Sequence, residues 1–175
     1  MFSDPKKNLS QFDIMPTMSV GDFGSGAGYY SIALAKMVGE TGRVYAIDIQ
    51  KELLGKIKND AAKEHLFNID IIWADFEAPL GTRLGDSVLD RGVISNVLYQ
   101  VENKEGFIKE VSRVLRPSGK VLVIDWLDSF GGLGPHKKSI LVKEECRKLF
   151  EKGGFVFEKE IKAGAHHYGF ILKKR

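Results

Sequence analysis

Two rhythms of apolar residues alternate along the chain. Short, mainly apolar runs at 20–23, 43–48, 69–73, 92–95 and 120–125 read as strands. Between them apolar residues recur three or four apart, first Leu53, Ile57 and Ala61, then Phe107, Ile108, Val111, Val114 and Leu115, the spacing of one helix face. Such alternation predicts a parallel sheet with helices on both faces. The last third changes character. A helix carrying Val142, Cys146, Leu149 and Phe150 ends at Gly153-Gly154, and strands at 155–161 and 168–172 follow, joined by Ala163-Gly164-Ala165. So short a connection forces an antiparallel return, because a parallel one needs a crossover. The expected architecture is α/β: a mostly parallel seven-stranded sheet with a C-terminal antiparallel hairpin.

Composition bounds the class without naming the chemistry. At 175 residues, 43% hydrophobic and 28% charged, the chain suits one domain with a core of its own, taken as 1–175 with a short N-terminal cap at 1–16. The net charge of +3 is spread along the chain and forms no basic block of the kind that marks nucleic-acid binders. A single cysteine, Cys146, excludes an internal disulfide, and its place on an apolar helix stripe reads as core. There is no membrane-length apolar run and no leader pattern, so the expected location is cytoplasmic.

The chemistry-bearing stretch is 20–30, where a strand runs into Gly24-Ser25-Gly26-Ala27-Gly28 and then into a helix. Glycines let the backbone bend tightly and approach a ligand, and a helix start supplies free N–H groups. Asp48 follows about twenty residues later at the end of the second run, where a carboxylate can accept from ribose hydroxyls. A dinucleotide fingerprint needs its third glycine three positions after the second, and Tyr29 occupies that place. A nicotinamide enzyme is therefore disfavoured.

The order Asp22-x-Gly24-x-Gly26-x-Gly28 resembles the first motif of class I S-adenosylmethionine (SAM) methyltransferases, and the likeness extends over most of the chain from Phe2 to Lys174. It is similar in particular to the small-molecule enzymes of ubiquinone and menaquinone biosynthesis. The resemblance implies the Rossmann-like fold of that class, with SAM as methyl donor and S-adenosylhomocysteine as product. It places Asp22, Gly24, Ser25, Gly26 and Gly28 around the methionyl arm and Asp48 and Ile49 at the ribose. Asp75 and Phe76 fall at the adenine, and Asn96 where the chain leaves strand four. Two departures matter. Tyr99-Gln100 stand where many relatives carry two histidines, and the cap and the insertion after strand five are short. The acceptor site is thus open, or completed by residues 1–16 or by a partner.

Methyl transfer needs positioning more than a nucleophile or a metal, so no metal site is expected. Ligands of such sheets bind beyond the carboxyl ends of the parallel strands. That rule makes Tyr99, Gln100, Trp126, His166 and His167 the acceptor-side residues, with one of the two histidines facing the acceptor. Tyr29 and Tyr30 are read as rings on the cofactor side. The glycine-rich stretch 130–135 reads as a lid or a plain loop. Arsenite methyltransferases use several cysteines, which one buried Cys146 does not replace. The expected acceptor is a small organic molecule. RNA or protein as substrate, and a SAM- or S-adenosylhomocysteine-binding protein without turnover, stand as alternatives, and the chain is expected as monomer or homodimer.

Overall fold

A computed structural model describes residues 3–175; residues 1 and 2, the first two of the expected cap, lie outside the described residues. The elements in order are α1 (Pro5–Leu9), β1 (Ser19–Phe23), α2 (Tyr29–Val38), β2 (Arg43–Asp48), α3 (Lys51–Lys63), β3 (Ile69–Trp73), β4 (Leu89–Ser95), α4 (Lys104–Val114), β5 (Leu115–Trp126), α5 (Lys143–Lys152), β6 (Phe155–Glu160) and β7 (His167–Lys174). A 3-10 turn, Lys137–Ser139, precedes α5. No helix among the described residues is long and apolar enough to cross a membrane.

Seven strands form one sheet in the order β3-β2-β1-β4-β5-β7-β6. Neighbours β3 through β5 pair in parallel, while β7 runs antiparallel to both β5 and β6. The side-chain period of two splits each central strand between two core layers. In β5, Val121 and Val123 face Phe107, Ile108, Cys146 and Phe150 of α4 and α5. Leu122 and Ile124 face the other layer, with Leu34 and Val38 of α2. Burial on both faces is the reason these strands read as near-continuous apolar runs.

Several local expectations shift. The buried stripe of α3 is Leu54, Ile57 and Ala61, not Leu53. β4 begins at Leu89, three residues before the predicted 92–95. β5 begins at Leu115, ahead of the predicted 120–125, and takes in Arg116-Pro117-Ser118-Gly119 through a register shift opposite Leu89 and Arg91 and the left-handed φ of 63° at Ser118. α1 has its own capping: Asp4 accepts from the N–H groups of Lys6 and Lys7, and Pro5 occupies the first turn, where its missing N–H costs nothing. The cap segment packs down through Leu9, Phe12 and Ile14, all in the α2 layer of the core.

Candidate active site

The carboxyl ends of β1, β2 and β4 part around a cleft of about 810 Å³, within the range of small-molecule sites. The order of strands explains why it opens there. β1 sits between β2 and β4, so the chain leaves β1 at the point where successive connections turn to opposite sides.

The glycine loop supplies the floor. Gly24, Gly26 and Gly28 have φ of 73°, 53° and 85°, the left-handed region that glycine enters without strain. A Cβ on Gly24 would lie 2.6 Å from Val97 Cγ2, so this glycine lets the loop after β1 touch the loop after β4. A Cβ on Gly28 would lie 2.6 Å from Ile57 Cγ1. Gly28 therefore serves the packing of α2 on α3 and does not line the cleft.

Two of the three carboxylates that line the cleft, Asp22 and Asp48, lie at the ends of β1 and β2. Asp48 accepts from Gly26 N at 2.8 Å through one oxygen and from Gln50 N at 2.9 Å through the other. These bonds brace the glycine loop against the end of β2 and still leave lone pairs free on the cleft side. Asp22 is buried and accepts from Ser31 Oγ at 2.6 Å. Burial is the main cause that pushes its carboxyl up to about 7, opposed by the Ser31 bonds and reinforced by the nearby charge of Asp48.

Two further atoms on the cleft have no partner. Ser25 Oγ and Asn96 Oδ1 are buried, and neither meets a hydrogen-bonding group among the described residues. Asn96 holds a left-handed φ of 57°, and its N–H bonds Ile124 O at 2.9 Å, so its backbone is committed while its side-chain oxygen is not. Buried polar atoms without partners are uncommon, and two on one cleft wall mark where a ligand's polar groups fit.

Apolar walls complete the cleft. Ile49 and Leu53 contribute from one side, and Phe76 from the other, its ring 4.7 Å from that of Phe107. Asp75 is exposed and outside the lining, with its carboxylate on Glu77 N at 3.0 Å in a local turn. Tyr99 and Gln100 do line the cleft. Burial and the Asp125 charge raise the Tyr99 phenol above its ordinary value. Asp125 fixes this segment to the sheet, accepting from Leu98 N at 3.0 Å and Trp126 N at 2.8 Å, and burial pushes its carboxyl up to about 6.

The structure does not bring Trp126, His166 and His167 to the cleft wall. The Trp126 and His167 rings meet with centroids 4.3 Å apart, tilted by 38°, across the β5–β7 pair, where their backbones are in register. His167 is buried with both ring nitrogens unpartnered among the described residues, and desolvation lowers its pKa. His166 instead pairs with Asp128 at 2.7 Å and stacks on Phe130 at 4.2 Å. The stretch 130–135 is a tight hairpin, with Phe130 and Leu133 bridged across Gly131-Gly132 and Gly134 pressed on the Trp126 ring. These residues form a second aromatic cluster over β5 and β7.

Sequence reasoning left open that residues 1–16 complete the site, but named none of the residues through which they do so. Ser3 and Pro5 line the cleft, and the Tyr30 hydroxyl is engaged from α1 by Asn8. The Asp4-Pro5 pair signals a helix start, but no local signal places that helix against a tyrosine 22 residues away.

The chain and its fold are similar to proteins already known. A family model described as a methyltransferase domain matches residues 14–163. A protein of Hydrogenovibrio crunogenus named ubiquinone/menaquinone biosynthesis C-methyltransferase UbiE is 32% identical over 114 residues, 65% of this chain and 44% of that one. An arsenite methyltransferase of Halobacterium salinarum is 32% identical over 118 residues, 63% of this chain and 27% of that protein. The chain thus spans less than half the length of these relatives. The crystal structure of a SAM dependent methyltransferase from Aquifex aeolicus superposes with a TM-score of 0.90 at 28% identity, covering 99% of this chain and 91% of that one.

Proposed function

The chain belongs to the methyltransferase domain family, and on that premise we propose that it transfers the methyl group of SAM to a small organic acceptor of the hydroquinone kind. The observation that carries the reading is the wall of the cleft: unpartnered Ser25 Oγ and Asn96 Oδ1 beside the braced carboxylate of Asp48. These groups suit a ligand that combines a ribose diol, an ammonium group and an aromatic base.

In this reading Asp48 holds the ribose diol, and its two backbone partners keep it from rotating away. Ile49, Leu53 and Phe76 offer the apolar surface for a base, with Asn96 and Ser25 satisfied by the ligand's polar groups. Asp22 faces the ammonium group, which returns its carboxyl to the ionised form. SAM, when bound, supplies a methyl group on a positively charged sulfur, poised for in-line displacement. The protein's part is then orientation, which can be worth on the order of 7–11 kcal/mol for well-aligned reactants. Tyr99 and Gln100, on the cleft side that the loop after β4 forms, present a phenol and an amide to acceptor oxygens.

The acceptor class draws on the relative named for ubiquinone and menaquinone biosynthesis. Arsenite is disfavoured by this chain's own residues. Cys146 is its one cysteine, buried among α4 and α5 side chains, with a thiol that burial pushes up to about 12. No thiolate is available at neutral pH. The test is an assay with radiolabelled SAM and 1,4-dihydroxynaphthalene as acceptor. A ring-methylated product, reduced at least tenfold in Asp48→Ala, supports the proposal. Absence of product from protein shown to bind S-adenosylhomocysteine refutes the acceptor class.

A further inference from the structure

The cleft wall carries a hydrogen-bond donor that the described protein groups leave unused. Asn8 of α1, 1% exposed, donates through Nδ2 to the Tyr30 hydroxyl at 2.7 Å and to Ser3 Oγ at 2.7 Å. An amide nitrogen has two protons, so each hydroxyl oxygen takes one. Both hydroxyls are thereby acceptors, and each still has its own proton to place. The two oxygens lie 3.5 Å apart, which accommodates at most one weak bond between them. One proton is left over. Tyr30 is nine-tenths buried, and Ser3 and Tyr30 both line the cleft.

The charge of the cleft gives this surplus donor a purpose. Asp22, Asp48 and Glu77 line it, and among the described residues no lysine, arginine or histidine does. An anionic or carbonyl oxygen entering there has no cationic side chain to meet, and must be held by neutral donors. We infer that Tyr30 and Ser3, oriented by Asn8, form an oxygen-binding subsite that donates a hydrogen bond to a carboxylate, carbonyl or phenolic oxygen of the ligand. The inference rests on the methyltransferase reading, in which that oxygen belongs either to the methionyl carboxylate of the cofactor or to the acceptor.

The experiment titrates wild-type protein, Tyr30→Phe and Ser3→Ala with S-adenosylhomocysteine and with its analogue lacking the carboxylate. Binding of 1,4-dihydroxynaphthalene is then measured with S-adenosylhomocysteine bound. Tyr30→Phe keeps the ring and removes only the hydroxyl, and Ser3→Ala gives a second reading should Tyr30→Phe fail to fold. With the carboxylate as partner, the variant weakens S-adenosylhomocysteine roughly 10- to 100-fold, as expected for one hydrogen bond to a charged group, and leaves the analogue unchanged. With the acceptor as partner, cofactor binding holds and dihydroxynaphthalene binding weakens. Equal weakening of S-adenosylhomocysteine and its analogue, or no change in any of the three affinities, overturns the inference. Wild-type protein that binds no adenosyl ligand instead sinks the methyltransferase reading, and the subsite with it.

Discussion

Replacing Asp22 by Asn should convert a pH-dependent liability of the free protein into a pH-independent one. The carboxyl is buried beside Asp48, and burial lifts it from the usual 3.8 to about 7. Because the folded-state value lies above the unfolded one, the native state holds this proton more tightly than the unfolded chain does. Its contribution is therefore fully present below about pH 4 and is lost as pH rises through about 7. Three pH units at about 1.4 kcal/mol each give a loss on the order of 4 kcal/mol by pH 8. Asn keeps an oxygen that can accept from Ser31 Oγ and carries no charge. Urea unfolding of both proteins between pH 4 and 8 isolates Asp22 and its coupling to Asp48, since contributions from acids that do not interact with Asp22 cancel in the difference. Asp22→Asn should gain on wild type steadily across the range, by a few kcal/mol at the alkaline end. Parallel stability curves would refute the reasoning and mean that the Asp22 carboxylate is ionised and well solvated at neutral pH.

Gly24→Ala should lose about 1–3 kcal/mol of stability, from the left-handed backbone and the contact of its Cβ with Val97, and should weaken adenosyl-ligand binding with it; thermal melts and calorimetry read both. Glu110 is buried and accepts from Thr82 N at 3.1 Å, Thr82 Oγ1 at 2.6 Å and Arg113 at 2.7 and 2.8 Å, so Glu110→Ala leaves a guanidinium half-stranded. A loss of about 3–5 kcal/mol in denaturant unfolding is expected, with the affinity of surviving folded protein for S-adenosylhomocysteine unchanged, because this network lies on the α4 side away from the cleft.

Most of the sheet was legible because parallel strands buried on both faces write themselves as apolar runs; β2 and β3 fall where the pattern put them. The α3 stripe was not. Leu53, Ile57 and Ala61 fit a helix period as well as Leu54, Ile57 and Ala61 do, and the sequence pattern does not say that Leu54 packs with Ile57 on Ala46 of β2 while Leu53 borders the cleft. In the candidate site, the glycine loop and Asp48 could be read because their roles are local to the strand ends that carry them. Trp126, His166 and His167 were grouped with Tyr99 by a correct rule about strand ends, which does not include strand order. The insertion of β7 between β5 and β6 gives Trp126 and His167 one another as neighbours and sets His166 against Asp128 and Phe130. Asn8 and Ser3 left no signal, since their role arises from a contact between α1 and α2.

The most direct test of the account is a calorimetric titration of wild-type protein and Asp48→Ala with S-adenosylhomocysteine. Asp48 braces the glycine loop through Gly26 N and, in this reading, also carries the ribose diol. The account predicts micromolar binding by wild type and a loss of roughly tenfold or more in the variant, with the variant still folded by circular dichroism. Wild-type protein that is folded and does not bind, or an Asp48→Ala variant that binds as tightly as wild type, would contradict it.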